Sequence, residues 1–143
     1  MKASELIINK KPIVVKVGSP VSEAVRLMAE NNVGLVVVVN SPEDMRVLGV
    51  ISERDVIKAL AKGVDISRAV VEQVGTMGNI ATVKYYDDVT KIAQFMNERR
   101  IRHVVVVDDE GRVMGVVSIR DLLRESNAIS EIAKMRPYPP VRE

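Results

Sequence analysis

Gly115-Val-Val-Ser-Ile-Arg-Asp121 occurs twice in this chain in all but detail: sixty-six positions earlier stands Gly49-Val-Ile-Ser-Glu-Arg-Asp55. Each copy reads as a short apolar strand that runs directly into a helix start, with a serine and a carboxylate three residues apart at the junction. Working outward, the match continues. Val14-Val-Lys-Val17 corresponds to Thr82-Val-Lys-Tyr85, and Val21, Ala24, Val25 and Met28 correspond to Val89, Ile92, Ala93 and Met96, at an offset of 68. Val36 to Val39 corresponds to Val104 to Val107 at that same offset. The offset falls by two between the valines and the glycine, where Asn40 to Arg46 is longer than Asp108 to Arg112. An insertion belongs in such a hairpin tip, where backbone meets water. The chain is therefore a tandem duplication.

Each copy predicts the order β-α-β-β-α. A β-branched strand (Ile13 to Val17; Ala81 to Tyr85) leads through Gly18-Ser-Pro20 or Asp87-Asp88 into a helix. Val21, Ala24, Val25, Met28 and Ala29 put one face of that helix inward. A hairpin follows, Leu35 to Val39 with Val47 to Ser52, and Val104 to Val107 with Val113 to Ser118. Its four-valine runs lack period-two alternation, as in strands covered on both faces. A second helix begins at each serine. The expected organisation is a first repeat over 5–63, a linker over 64–75, a second repeat over 76–126, and a C-terminal helix with a proline-rich tail over 127–143. So small a unit is marginal alone, and packing the copies by a pseudo-two-fold axis would bury their apolar sheets. The fold class expected is α/β (α+β).

Composition limits the function. Of 143 residues 47% are hydrophobic but only 3% aromatic, so aliphatic side chains must fill the core. There is no cysteine, hence no disulfide or thiolate site. No apolar run follows the N-terminal charge and none is long enough to span a bilayer, which predicts a cytoplasmic protein away from the membrane. The net charge is +2 with an isoelectric point near 9.0. Basic residues gather only at Arg99-Arg100-Ile-Arg102-His103, a narrow footprint without stacking aromatics, which argues against nucleic acid.

The repeated G-V-[IV]-S-x-R-D motif, the β-α-β-β-α order and their tandem occurrence resemble a pair of CBS domains, a Bateman module named after cystathionine β-synthase. The likeness covers about residues 5 to 126. It implies adenosine-containing ligands (AMP, ADP, ATP or S-adenosylmethionine) held between the repeats, regulation of an effector protein, and assembly as a homodimer. It implies that Asp55 and Asp121 accept hydrogen bonds from ribose hydroxyls and that Ser52 and Ser118 meet phosphate. A carboxylate can accept from both hydroxyls of a cis-diol, and a helix N-terminus with a serine attracts anions. Ser-x-x-Asp at a helix start is equally a capping box, and the two roles are compatible.

The copies differ where phosphate should lie: Ile101-Arg102-His103 in the second replaces Val33-Gly34-Leu35 in the first. Arginine grips phosphate with paired donors, and histidine adds a donor whose charge changes near neutral pH. By the resemblance, the segment before each first strand, Thr76 to Ala81 in the second copy and Lys11 to Ile13 in the first, meets adenine. The expected primary site is Thr76, Asn79, Ile80, Ala81, Ile101, Arg102, His103, Ser118, Arg120 and Asp121. The expected secondary site is Pro12, Ile13, Gly34, Leu35, Ser52, Arg54 and Asp55. No nucleotide-loop, zinc-protease or Cys/His motif is present, and the lone His103 cannot serve as base for both serines. The expectation is a non-catalytic adenine-nucleotide sensor without metal or required cofactor. The alternatives are a nucleic-acid-binding module and an interaction scaffold with vestigial sites.

Overall fold

A computed structural model describes residues 1–135. Arg136 to Glu143, which carry the proline-rich tail, lie outside the described residues. A 3-10 turn (Ala3–Leu6) precedes β1 (Val14–Lys16), α1 (Val21–Asn31), β2 (Leu35–Val39), β3 (Val47–Ser52) and α2 (Glu53–Ala61). A four-residue helix, α3 (Val71–Val74), and β4 (Thr76–Met77) lead into β5 (Thr82–Lys84), α4 (Val89–Arg99), β6 (His103–Val107) and β7 (Val113–Ser118). The described residues close with α5 (Ile119–Arg124) and α6 (Ser126–Ala133). The mixed α/β class and the β-α-β-β-α order thus hold.

The two sheets have the orders β1-β2-β3-β4 and β5-β6-β7, with the same pairings in each copy. β1 and β5 run parallel to β2 and β6, and each hairpin is antiparallel with a register shift at its last valine pair. The helices end alike too: Asn32 after α1 and Arg100 after α4 both have φ of 53°. That left-handed conformation is uncommon for a side-chain-bearing residue. Recurring at offset 68, it shows that the backbone as well as the sequence is duplicated.

The valine runs form both sides of the core. Val36 and Val38 pack beneath the helices of the first repeat, and Val104 and Val106 beneath those of the second. Their neighbours Val37, Val39, Val105 and Val107 form a third cluster between the two sheets. Every one of Val36–Val39 is fully buried, so the absence of alternation reflects two covered faces. At the other end of this layer the hairpin tips meet. The Val47 amide donates to the Gly111 carbonyl (3.0 Å), that of Val113 to Met45 (2.9 Å), and Arg112 Nη2 reaches Asp44 Oδ1 at 3.1 Å.

The connecting segments cross between repeats. Ala3, Leu6 and Ile7 belong to the core of the second repeat, and the amides of Ala3 and Ser4 donate to the carbonyls of Asp87 and Tyr85. Conversely, the 64–75 stretch read as a linker packs on the first repeat. Ile66, Ala69, Val71 and Val74 join that core, and β4 adds to that sheet through Gly49↔Met77 and Val50↔Thr76. Strand ends are shorter than expected at Ile13, Val17, Ala81 and Tyr85. β6 begins one residue earlier, with His103 paired to Ser118.

Candidate functional site

Each serine of the repeated motif ends a strand and caps the next helix. Ser118 N–H and Oγ–H donate to Asp121 Oδ2 at 2.7 and 3.1 Å, while the Asp121 amide donates back to Ser118 Oγ at 3.3 Å. Ser52 and Asp55 repeat this box at 3.0, 3.1 and 3.2 Å. The amides of Ile119 and Glu53 are taken by the carbonyls of Arg102 and Gly34. The first and third amides of each helix are thus taken by the fold's own acceptors. In Asp121 the second carboxylate oxygen takes no part in the box.

A cavity of about 760 Å³ opens between the repeats at the end of the sheets remote from the hairpin tips. Its wall does not follow the expected division by repeat. Arg102, His103, Ser118, Arg120 and Asp121 of the second copy face Pro12, Ile13, Gly34 and Leu35 of the first. The sheets pack face to face about a pseudo-two-fold axis, so the start of one repeat's strands lies opposite the other's Ser-x-x-Asp. The segment that shares the cavity with Asp121 is therefore Pro12–Ile13, and Asn79–Ala81, expected there, does not line it.

The remaining expected residues do not line this cavity. Thr76, expected in the second repeat's site, sits in the first sheet opposite Val50. The Asn79 carbonyl accepts from Arg99 Nη1 at 3.3 Å. Ile80 packs in the layer between the sheets, and Ala81 and Ile101 pack in or against the second core. Ser52 and Asp55 form the α2 cap, and Arg54 is exposed. Three charged wall residues escaped the sequence reading: Lys10, Glu53 and Arg124. Glu53 and Arg124 stand at the ends of α2 and α5, where their positions in the repeat say nothing of what they face. Lys10 precedes the first strand and carries no repeat signal, since Gly78 stands at its counterpart.

Positive charge prevails in the cavity. Lys10, Lys11, Arg102, Arg120 and Arg124 line it against the two carboxylates of Glu53 and Asp121. Lys10 Nζ donates to Asp121 Oδ2 at 2.5 Å and to the Val116 carbonyl at 2.8 Å. Burial raises the Asp121 pKa, but the Lys10 ammonium and the Ser118 donors outweigh it and hold the carboxyl below its ordinary value. His103 is shifted down, first by burial and then by Lys10 and Arg102, against the pull of Glu53 and Asp121. The shift favours the neutral imidazole near pH 7. Such a cavity can hold a polar molecule with hydroxyl donors at one end and an anionic group beside the basic side chains. Among the described residues no cluster of His, Asp and Glu could hold a metal ion, and no helix is long and apolar enough to cross a membrane.

The chain matches the family model of the CBS domain twice, over residues 3–62 and 71–128. An uncharacterized 17.7 kDa protein of Acidianus ambivalens is 35% identical over 96% of this chain and 79% of its own. Other relatives are longer: the chain spans between 22% and 63% of their length, enzymes among them. In structure it is similar to the CBS domain protein PAE2072 from Pyrobaculum aerophilum, solved in complex with AMP. The TM-score is 0.86 and the identity 33%, covering 94% of this chain and all of that one. It is also similar to the CBS domain pair of protein MJ0100, in complex with 5-methylthioadenosine and S-adenosyl-L-methionine. There the TM-score is 0.76 and the identity 27%, over 87% and 94% of the two chains.

Proposed function

The chain belongs to the CBS domain family, and on that premise we propose that it is a non-catalytic regulatory module that senses an adenine nucleotide in the cavity between its repeats. The observation that carries this reading is the composition of the cavity wall. The Asp121 carboxylate, an acceptor for a ribose diol, shares one cavity with Arg102, Arg120 and His103, donors for phosphate. The AMP complex of the Pyrobaculum aerophilum protein supports the choice of ligand class. Pro12, Ile13, Gly34 and Leu35 supply the adenine side.

The Ser118 hydroxyl is tied into the α5 cap, donating to an Asp121 oxygen that also accepts from the Ser118 amide and Lys10, and His103 pairs with that serine only through the strand backbone. On this reading, ligand occupancy is passed on through the module's outer surface. Ile57 on α2 and Leu123 on α5 are repeat equivalents, 65% and 66% exposed. This pair of apolar patches related by the pseudo-two-fold suits association with a second copy, in addition to a cytoplasmic effector protein. Light scattering of the wild type against Ile57→Glu/Leu123→Glu tests the dimer.

The test of the sensor is isothermal titration with AMP, ADP, ATP and S-adenosylmethionine against wild type and Asp121→Ala. Binding of a nucleotide that Asp121→Ala abolishes supports the reading, and ligand at about 100 times its Kd should add about 2.7 kcal/mol of stability. A folded protein that binds none of the four overturns it and leaves an interaction scaffold.

A further inference from the structure

We propose that the Lys10 ammonium is a resident counter-ion of Asp121, displaced from Oδ2 by a ribose that bridges both carboxylate oxygens, and that the site thereby selects phosphorylated nucleosides over neutral ones. This rests on the nucleotide reading above and assigns a specificity determinant within it.

Three donors already converge on Asp121 Oδ2: Ser118 N–H, Ser118 Oγ–H and Lys10 Nζ. The two from Ser118 are fixed by the helix cap. The ammonium alone is carried on a flexible four-carbon stem. Its position is set from the other side, because Ile7 is anchored in the second core and the Lys10 amide donates to the Ile7 carbonyl at 3.0 Å. The ion pair also forms a partition. Lys10, Asp121 and Arg124 line both the 760 Å³ cavity and a neighbouring one of about 170 Å³ reached by Glu5 and Asn9. Oδ1 is open to one hydroxyl, but a diol that bridges both oxygens must move the ammonium off Oδ2.

The displaced ammonium has a poor alternative. Lys11, Arg102, Arg120 and Arg124 already line the same cavity against one other carboxylate, Glu53, so without a new anion the freed ammonium adds to an excess of positive charge. Separating one partner of a partly buried ion pair is costly when its charge is left uncompensated. A phosphate on the ligand supplies that anion; adenosine supplies the hydroxyls and nothing in exchange. Lys10 therefore opposes a neutral nucleoside and favours a nucleotide.

The experiment is titration of adenosine and AMP into wild type, Lys10→Met and Lys10→Arg. Removing the charge in Lys10→Met should tighten adenosine about tenfold and weaken AMP about tenfold, each about 1.4 kcal/mol. The preference for AMP then falls about a hundredfold, while Lys10→Arg retains it. Should Lys10→Met not fold, Lys10→Gln gives the same comparison. If wild type binds AMP but charge removal shifts both ligands by one factor, or leaves adenosine unimproved, Lys10 is not the determinant. If wild type binds neither ligand, the nucleotide reading itself has failed, and the assignment with it.

Discussion

Ile7 lies over Gly115 so closely that a β-carbon at the glycine would sit 2.8 Å from its Cγ2 and 2.9 Å from its Cβ. At the equivalent position of the first repeat, Gly49 is covered by the backbone of β4, with the Thr76 carbonyl 2.5 Å and Met77 Cα 3.0 Å from the same point. The first residue of the repeated motif is thus glycine because a segment from across the repeat boundary rests on the strand there.

The two glycines should tolerate alanine unequally. Gly115→Ala meets the β-carbon and branch methyl of core-anchored Ile7, so the segment carrying Ile7 must move, at a cost of about 1–3 kcal/mol. Gly49→Ala meets main chain and should cost more, with β4 displaced from the sheet. Urea unfolding of the two variants checks the order.

The twin capping boxes separate a structural role from a binding one. Ser52→Ala and Ser118→Ala should each lower stability by about 1 kcal/mol through loss of the cap. Only Ser118 lines the large cavity, so Ser118→Ala should also weaken AMP binding, by about tenfold. Ser52→Ala should leave it unchanged. Equal effects of both on binding would mean that the cap alone matters.

His103 should make ligand binding pH-dependent. Its pKa is depressed in the free protein, and phosphate nearby raises it. Binding then takes up a proton between the two values, and affinity rises as pH falls through that window. Titration of AMP at pH 7 in buffers of different ionisation enthalpy measures the uptake, which His103→Gln should reduce.

The same histidine affects the unliganded fold. A folded-state pKa below the unfolded value of about 6.5 favours the neutral form. Its contribution to stability is therefore present above the unfolded value and is lost as pH falls through the folded one. The melting temperature of the wild type should drop as pH falls below about 6.5, and that of His103→Gln should drop less.

Much of this was legible in the sequence because it is written locally. The apolar period of Val21 to Ala29 is a helix face whatever packs on it. Four adjacent valines demand cover on both sides, and Ser-x-x-Asp caps a helix from within its own first turn. The offset of 68 falling to 66 located the hairpin insertion, and Asn40 to Arg46 does form the longer tip. The differing phosphate ends, Arg102-His103 against Gly34-Leu35, were visible for the same reason.

By itself, then, the sequence determined the duplicated β-α-β-β-α order, the buried valine strands and the residues of the repeated motif. Only the tertiary structure decided which of them meet. Ile7 and Lys10 precede the first strand of the first repeat yet serve the second repeat, and Pro12, Ile13, Gly34 and Leu35 share a cavity with Asp121 instead of Asp55. The reason is physical. Periodicity and capping depend on neighbours in the chain, whereas the two-fold packing of the sheets is set by burying Val37, Val39, Val105 and Val107 against one another. That contact brings the first repeat's strand starts to the second's Ser-x-x-Asp, and nothing in the spacing of a single repeat records it.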